Sequence, residues 1–496
     1  MPHVNQYIKS NLKYCLRILA LFLYSAAVFG KPVENTEGIL SFKQAVKTAQ
    51  KNDPWLTGNV HKQRSIETMS AAVNTLPDPK MSLGIANLPT NGLNFGEEGM
   101  TQAKIGIAQV FPRGDTLAIK SQQLKIQSQA YPYLRNDRES KVAVTVGSLW
   151  LEAYRVQQSI ALIENNRSLF EQLADVAEAN YSSAIGKTRQ QDMIRAQLEL
   201  TRLEDRLDRL AQQQEMYEGM LSQWLTKALI DTNGSYNSSL VSDYHLHNIV
   251  LSSELPQIDL YNSDLVNNKK WLKPNELTPY FSNHPSILAL DKKIQATKTG
   301  IELAKQKYQP EWGVNASYAY RDDDAMGNNR ADFFSVGVTF DLPIFTQNRQ
   351  DNEVKSAVSE TESIKTEKVL LLRQLLSSYS SAKGKLLRLK DRQDLYTTKL
   401  LPQSYDQAEA SLTSYTHDDG DFSEVVRSRI ALLNAEIDAL TLDVEAQKIR
   451  LELNYLLIGS TENSITNHFN QQLYFNENQQ KNMNQNRRAN VLSGVK

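Results

Sequence analysis

Two stretches gather side chains able to hold a cation. His417-Asp418-Asp419-Gly420-Asp421, followed by Glu424, sets an imidazole among closely spaced carboxylates. His245-Leu246-His247 puts two imidazoles on one face of an extended segment, where side chains repeat every second residue. Neither completes a metal set: no cysteine or further acid joins the histidine pair, and the carboxylates read equally well as solvated turn residues. The Asp322-Asp323-Asp324 run is likewise a polar loop tip. No glycine-rich phosphate loop and no nucleophile–base constellation occurs, so the residues give no enzyme and no cofactor. Any energy for work must come from a partner.

Composition narrows the class. The 496 residues carry 55 Lys+Arg against 56 Asp+Glu, a net charge of −1, so no broad basic field exists to bind nucleic acid. Lys9, Lys13 and Arg17 precede an apolar run from Ile18 to Phe29 that ends in small residues at Ala26, Ala27 and Gly30. That layout predicts a signal peptide over 1–30, whose removal takes away Cys15, the only cysteine. No later apolar run reaches the ~18 residues of a spanning helix, so a membrane crossing would have to use strands.

The elements that must position these groups are written twice. Pro54 and Pro285 open helical stretches, Pro79 and Pro310 open alternating strands, and Pro112 and Pro343 close a second strand; each pair is 231 residues apart. Tyr181 and Gly186 recur as Tyr415 and Gly420 with a spacing of 234. The first repeat covers 31–228, with strands at about 79–89 and 100–112 and a helical hairpin at about 115–228. A mixed equatorial segment fills 229–280. The second repeat covers 281–459, with strands at about 310–321 and 331–343 and a hairpin at about 346–459, before an Asn/Gln-rich, disordered tail at 460–496.

In each strand large apolar residues alternate with small or polar ones: Met81, Leu83 and Ile85; Ile105, Ile107 and Phe111; Trp312 and Val314; Val336 and Val338. Such strands suit a barrel with lipid outside and water inside, and Trp312, Tyr318, Tyr320 and Phe340 suit its interfacial aromatic girdle. Two half-buried hairpins over a soluble core are the plainer reading. Four strands per chain are too few to close a barrel, because the smallest bacterial types need about eight. Three chains closing a barrel of about twelve strands is the simplest solution, so the barrel reading demands a homotrimer embedded in outer-membrane lipid.

The helical runs are long. Asp115 to Tyr181 would span roughly 100 Å if unbroken, with Pro132 a bend near its start and Pro402 a kink in the second copy. Leu200, Leu203, Leu207 and Leu210, and Leu433, Ile437, Leu440 and Val444, advance by alternating threes and fours, the heptad spacing of a coiled coil. The hairpin turns fall at Gly186 and Gly420, where glycine is expected to supply a positive φ.

Over roughly Leu40 to Gly459 the chain resembles the TolC-like outer-membrane efflux proteins. The resemblance rests on the duplicated Asp/His-Pro entry, the strand exits Val110-Phe111-Pro112 and Leu342-Pro343-Ile344-Phe345, and the tips Tyr181 to Ala196 and Tyr415 to Arg427. It implies a mainly α fold with transmembrane β: a trimeric β-barrel continued by a periplasmic α-barrel of coiled-coil hairpins. It also implies an exit duct that serves a periplasmic adaptor protein and an inner-membrane efflux pump. Family acids just past the second tip ring the inner opening. Here Glu424 keeps an acid while Arg427 replaces one, with an i, i+3 pair as the alternative. Asp418, Asp419, Asp421 and Asp192 are further gate candidates, and Gly186, Lys187, Thr188, Arg189 and Gly420 are the adaptor-docking candidates. The Phe111-Pro112-Arg113-Gly114 exit is similar to the heavy-metal and cation branch. A free-standing diffusion porin and a secreted coiled-coil scaffold remain as alternatives.

Overall fold

A computed structural model describes residues 39–182, 190–226, 249–324, 326–417 and 420–460. The expected leader, the tail, His245, His247, Gly186, Lys187, Thr188, Arg189, Asp418 and Asp419 lie outside the described residues. The first copy comprises α1 (Phe42–Asn52), α2 (Pro54–Ala72), β1 (Lys80–Ala86), β2 (Gln102–Phe111), α3 (Thr116–Ser128), α4 (Ala130–Ser182) and α5 (Gln190–Leu225). Between the copies lie the short helices α6 (Ser263–Asn267) and α7 (Pro274–Ser282). The second copy comprises α8 (Pro285–Lys305), β3 (Trp312–Tyr320), β4 (Phe333–Phe340), α9 (Gln350–Leu395), α10 (Leu401–Thr416) and α11 (Phe422–Leu456).

The repeated X-Pro steps are helix starts. Proline needs no donor in a first turn, and the residue before it caps: Asp53 accepts from Trp55 N at 3.0 Å, and His284 accepts from Ser286 N at 3.3 Å. Proline also interrupts. The long first helix is not continuous, because it breaks at Gln129, three residues before Pro132, whose ring crowds the carbonyl of Ser128. In the second copy a π-turn, Tyr396–Leu400, precedes α10, whose first turn holds Pro402. Widening that turn accommodates the donor that Pro402 lacks.

The strands form one antiparallel sheet in the order β1-β2-β3-β4, so β2 and β3 pair across the duplication, from Ala103↔Tyr320 to Phe111↔Trp312. The strands are shorter than their alternation suggests. β1 stops at Asn87, whose φ of 56° turns the chain, and β4 stops before Pro343, where Ile344 N donates to Leu342 O at 2.9 Å in a tight turn.

Three apolar cores are strung along the helices. The first centres on buried Trp150, which is edge-on to Phe42 at 5.7 Å, stacked on Tyr154 at 5.5 Å, and donates from Nε1 to Leu40 O at 3.0 Å. The second gathers Phe281, Ile287, Tyr379, Leu386 and Leu453. The third joins α4, α5 and α11 through Ile163, Phe170, Leu203, Leu210, Phe422, Val425, Leu433 and Ile437. Leu200 and Leu207 are half-buried against this third core, and Val444 is buried in the first, so the heptad positions face inward.

Residues 249–262 run over these helices as an extended strap. Leu40 and Leu251 form a lone parallel bridge, and elsewhere the strap has no sheet partner, so helix side chains satisfy its backbone. Gln157 both accepts from Leu251 N (3.1 Å) and donates to Leu251 O (3.2 Å). Asn454 does the same between Tyr261 N (2.9 Å) and Asp259 O (2.7 Å), while Gln447 accepts from Ile258 N at 3.0 Å.

Candidate functional site

Register sorts every strand residue onto one of two chemically distinct faces. Leu83, Ile105, Tyr318 and Phe334 share one row; Met81, Ile107, Ala316 and Val336 form the next. These side chains are not core. Leu83 is 70% and Phe334 73% exposed, so a four-strand-wide apolar surface stands uncovered. No charged residue interrupts it. Large apolar side chains in such numbers mark a lipid or protein contact, since each exposed leucine forgoes about 2 kcal/mol of burial. Aromatic rings bound it at both ends. Phe111 stacks on Trp312 at 4.6 Å, beside its register partner Phe340, and Tyr318 and Tyr320 lie at the loop end, with Phe95 stacked on Tyr320 at 6.4 Å. From Trp312 to Tyr320 is about 26 Å along the strand, or about 20 Å after a barrel-like tilt of ~40°. The opposite face is mostly small and polar, with Ser82, Gly106, Ser317 and Ser335 as its middle row and Val110 and Phe333 near its ends. The outer edges of β1 and β4 have no strand partner among the described residues.

Where sheet meets helices, the Arg113-Gly114 pair is a clasp. Arg113 donates to the carbonyls of Lys307 (3.0 Å) and Gln309 (3.2 Å) and ion-pairs with Asp341, tying the exit of β2 to the entry of β3 and the exit of β4. Asp341 also accepts from Glu311 N at 2.6 Å. Gly114 has φ +44°, and a Cβ there would lie 2.3 Å from Gln306 Oε1, the atom that accepts from Asp115 N. Whatever branch the motif resembles, Arg113 within it holds the two copies together.

At the far end, Tyr415 packs edge-on to Phe422 at 5.6 Å, closing the third core under the second tip. Gly420 leaves no room for a side chain, because a Cβ there would come within 2.6 Å of Tyr415 N. Asp421 caps α11 by accepting from Ser423 N at 3.0 Å, and Asp192 is buried in the first turn of α5. Glu424 and Arg427 form an ion pair at 2.7 Å on the exposed side of α11, so the two charges cancel locally. Arg429, its side chain largely buried, pairs with Glu409 of α10 at 2.7 Å and fastens the two arms of the hairpin. His417 Nδ1 lies 2.8 Å from Thr413 O, and among the described residues no three His, Cys, Asp or Glu side chains converge as a metal-ligand set.

Two sites escaped the sequence reading. Lys383, 2% exposed, donates to the carbonyls of Leu265 (3.0 Å) and Lys270 (3.3 Å) with its ammonium 5.3 Å from the Trp271 ring; desolvation by burial lowers its pKa. Buried His284 joins Tyr455, whose hydroxyl donates to Asp137 at 2.9 Å. A lysine amid a heptad and a histidine before a proline give no signal of burial. Only the packed partners do.

The described residues form an open sheet with one uncovered apolar face, carried on long helical hairpins. No family model and no curated protein matches the sequence. Solved structures do match. The chain is similar to CusC (TM-score 0.64, 13% identity, 84% of this chain and 91% of that one). It is similar to the outer-membrane protein VceC of Vibrio cholerae (0.61, 12%, 85% and 95%) and to the Campylobacter jejuni CmeC outer-membrane channel (0.66, 12%, 87% and 88%). The chain therefore has the TolC-like fold of outer-membrane channels that its sequence resembles. Among the described residues no helix is long and apolar enough to cross a membrane.

Proposed function

We propose that the chain is one third of an outer-membrane exit duct for an efflux system. The observation that carries this is the uncharged, exposed apolar face of a four-stranded sheet with two open edges. Each backbone group left unpaired in hydrocarbon costs several kcal/mol, so the edges must meet those of neighbouring chains. Three chains give a barrel of about twelve strands, with the small polar face lining water. The 53 residues of α4 then reach about 80 Å into the periplasm, a length with no use in a free-standing porin. The helical tips would form the inner opening, with the Glu424–Arg427 pair in its rim, and the turns around Gly186 and Gly420 would dock a periplasmic adaptor that connects to an inner-membrane pump.

The mature protein extracted from membranes in detergent should run as a heat-sensitive trimer, form channels in planar bilayers, and co-purify an adaptor from the producing cell. A water-soluble monomer would end the duct reading. A trimer that conducts but supports no export when an adaptor is supplied would favour a porin.

A further inference from the structure

The polar face of the sheet carries charge of one sign. Along β1 it presents Lys80, Ser82, Gly84 and Ala86, and along β2 Gln102, Lys104, Gly106, Ala108 and Val110. Along β3 and β4 the same face presents Gly313, Asn315, Ser317 and Ala319, then Phe333, Ser335, Gly337 and Thr339. Two lysines and no carboxylate stand on it. Lys104 sits across from Gly84 on one side and Ala319 on the other, and Lys80 across from Ala108, so no neighbouring side chain in register offers an opposing charge. Acids occur only outside the strands: Asp78 and Glu311 precede β1 and β3, Glu97, Glu98 and Asp322 to Asp324 lie in the loops, Asp341 is held by Arg113, and Asp332 accepts from Tyr318 and from Arg321 N.

We propose that these lysines make the barrel lumen an anion-attracting passage, which favours anionic over cationic solutes. The inference rests on the duct reading above. In a closed barrel of about twelve strands, spacing of ~4.8 Å and tilt of ~40° give a radius of about 12 Å. Extended lysine stems bring their ammoniums roughly 6 Å toward the axis, leaving the three of one ring about 10 Å apart. That is close to the ~8 Å screening length at physiological salt, so the fields overlap across the opening. Lys80 and Lys104 lie four register steps apart, roughly 13 Å along the strand, which makes two successive rings. Solutes of opposite sign meet that wall differently: an anion gains at each ring and a divalent cation is repelled at both.

The test reads the lumen directly. In full-length protein with Cys15→Ser, Ser317→Cys places a reporter thiol on the polar face next to the Lys104 row. The assembled protein is treated with a sulfonate-bearing and a trimethylammonium-bearing methanethiosulfonate, and each rate is divided by that reagent's rate on a free thiol. A lumen potential of about one kT per unit charge should favour the sulfonate by about sevenfold. Lys80→Gln with Lys104→Gln should abolish that preference. If the thiol reacts and the double substitution leaves the ratio unchanged, the lysine proposal fails while the duct stands. If neither reagent reaches Ser317→Cys, the polar face does not line water, and both fall.

Discussion

Acidification should destabilise this protein through a single imidazole. His284 is fully buried where the start of α8 meets the end of α11. Its Nε2 lies 3.2 Å from the Tyr455 carbonyl oxygen and so carries the proton and donates. Its Nδ1 faces Ser286 N at 3.3 Å and Ser286 Oγ at 2.7 Å and so accepts. Both partners specify the neutral ring; protonating Nδ1 would set it against the Ser286 N–H. Desolvation by burial holds the pKa below the ordinary 6.5, opposed in part by Asp137 and the Tyr455 carbonyl and reinforced by Lys141. The unfolded chain therefore takes up a proton near pH 6.5 that the folded chain refuses. The stabilisation is complete above that pH and drains as pH falls toward the lowered folded pKa, by at most about 1.4 kcal/mol per pH unit for one proton per chain. His284→Asn keeps a capping acceptor and removes the titration. Thermal melting of the detergent-solubilised protein, followed by helical circular dichroism from pH 8 to pH 5.5, should show a loss of Tm in the wild type. The Asn variant should lack most of that loss. Parallel losses in both proteins, or a wild type that gains stability on acidification, would refute the reasoning.

Other perturbations separate the surfaces. Leu83→Arg puts a charge on the apolar face at a cost of about 2–4 kcal/mol near a bilayer midplane, and should prevent heat-sensitive oligomer formation, whereas Ser82→Arg on the opposite face should assemble; equal tolerance would show that the face does not meet lipid. Arg113→Ala removes two carbonyl bonds and the Asp341 pair, and because Asp341 is half-exposed the loss should be about 2 kcal/mol, read from denaturant unfolding; a change below about 0.5 kcal/mol would count against the clasp. Glu424→Ala leaves Arg427 unpaired and should move the reversal potential of the conducting trimer toward anion preference, and an unmoved potential would remove Glu424 from the opening.

The features legible in the sequence were those set by local periodicity. Alternation between Met81 and Ile85 or Phe334 and Val338 fixes which side chains share a face, because successive strand residues point oppositely. The threes and fours from Leu200 to Leu210 likewise fix a helix stripe. Features that depend on two distant segments were not legible. Gln157, Gln447 and Asn454 look like polar lapses in helical seams, yet each is spent on the backbone of the strap. Gly420 meets a steric requirement that only the position of Tyr415 N reveals. The architectural role of Arg113 was not legible either, because its partners Lys307, Gln309 and Asp341 lie about two hundred residues away along the chain.

The three apolar cores draw on the helices, the strap and a few residues flanking them, such as Leu40 and Leu457; among the described residues no residue of β1–β4 belongs to any of them. The sheet thus brings no interior of its own to the newly made polypeptide. During biogenesis the helical hairpins can reach their mutual packing in an aqueous compartment, while the strands gain nothing from closing there. If the sheet closes with neighbouring chains as proposed, insertion and subunit joining coincide at the bilayer, and sheet completion becomes the last and most concentration-dependent event in this chain's maturation.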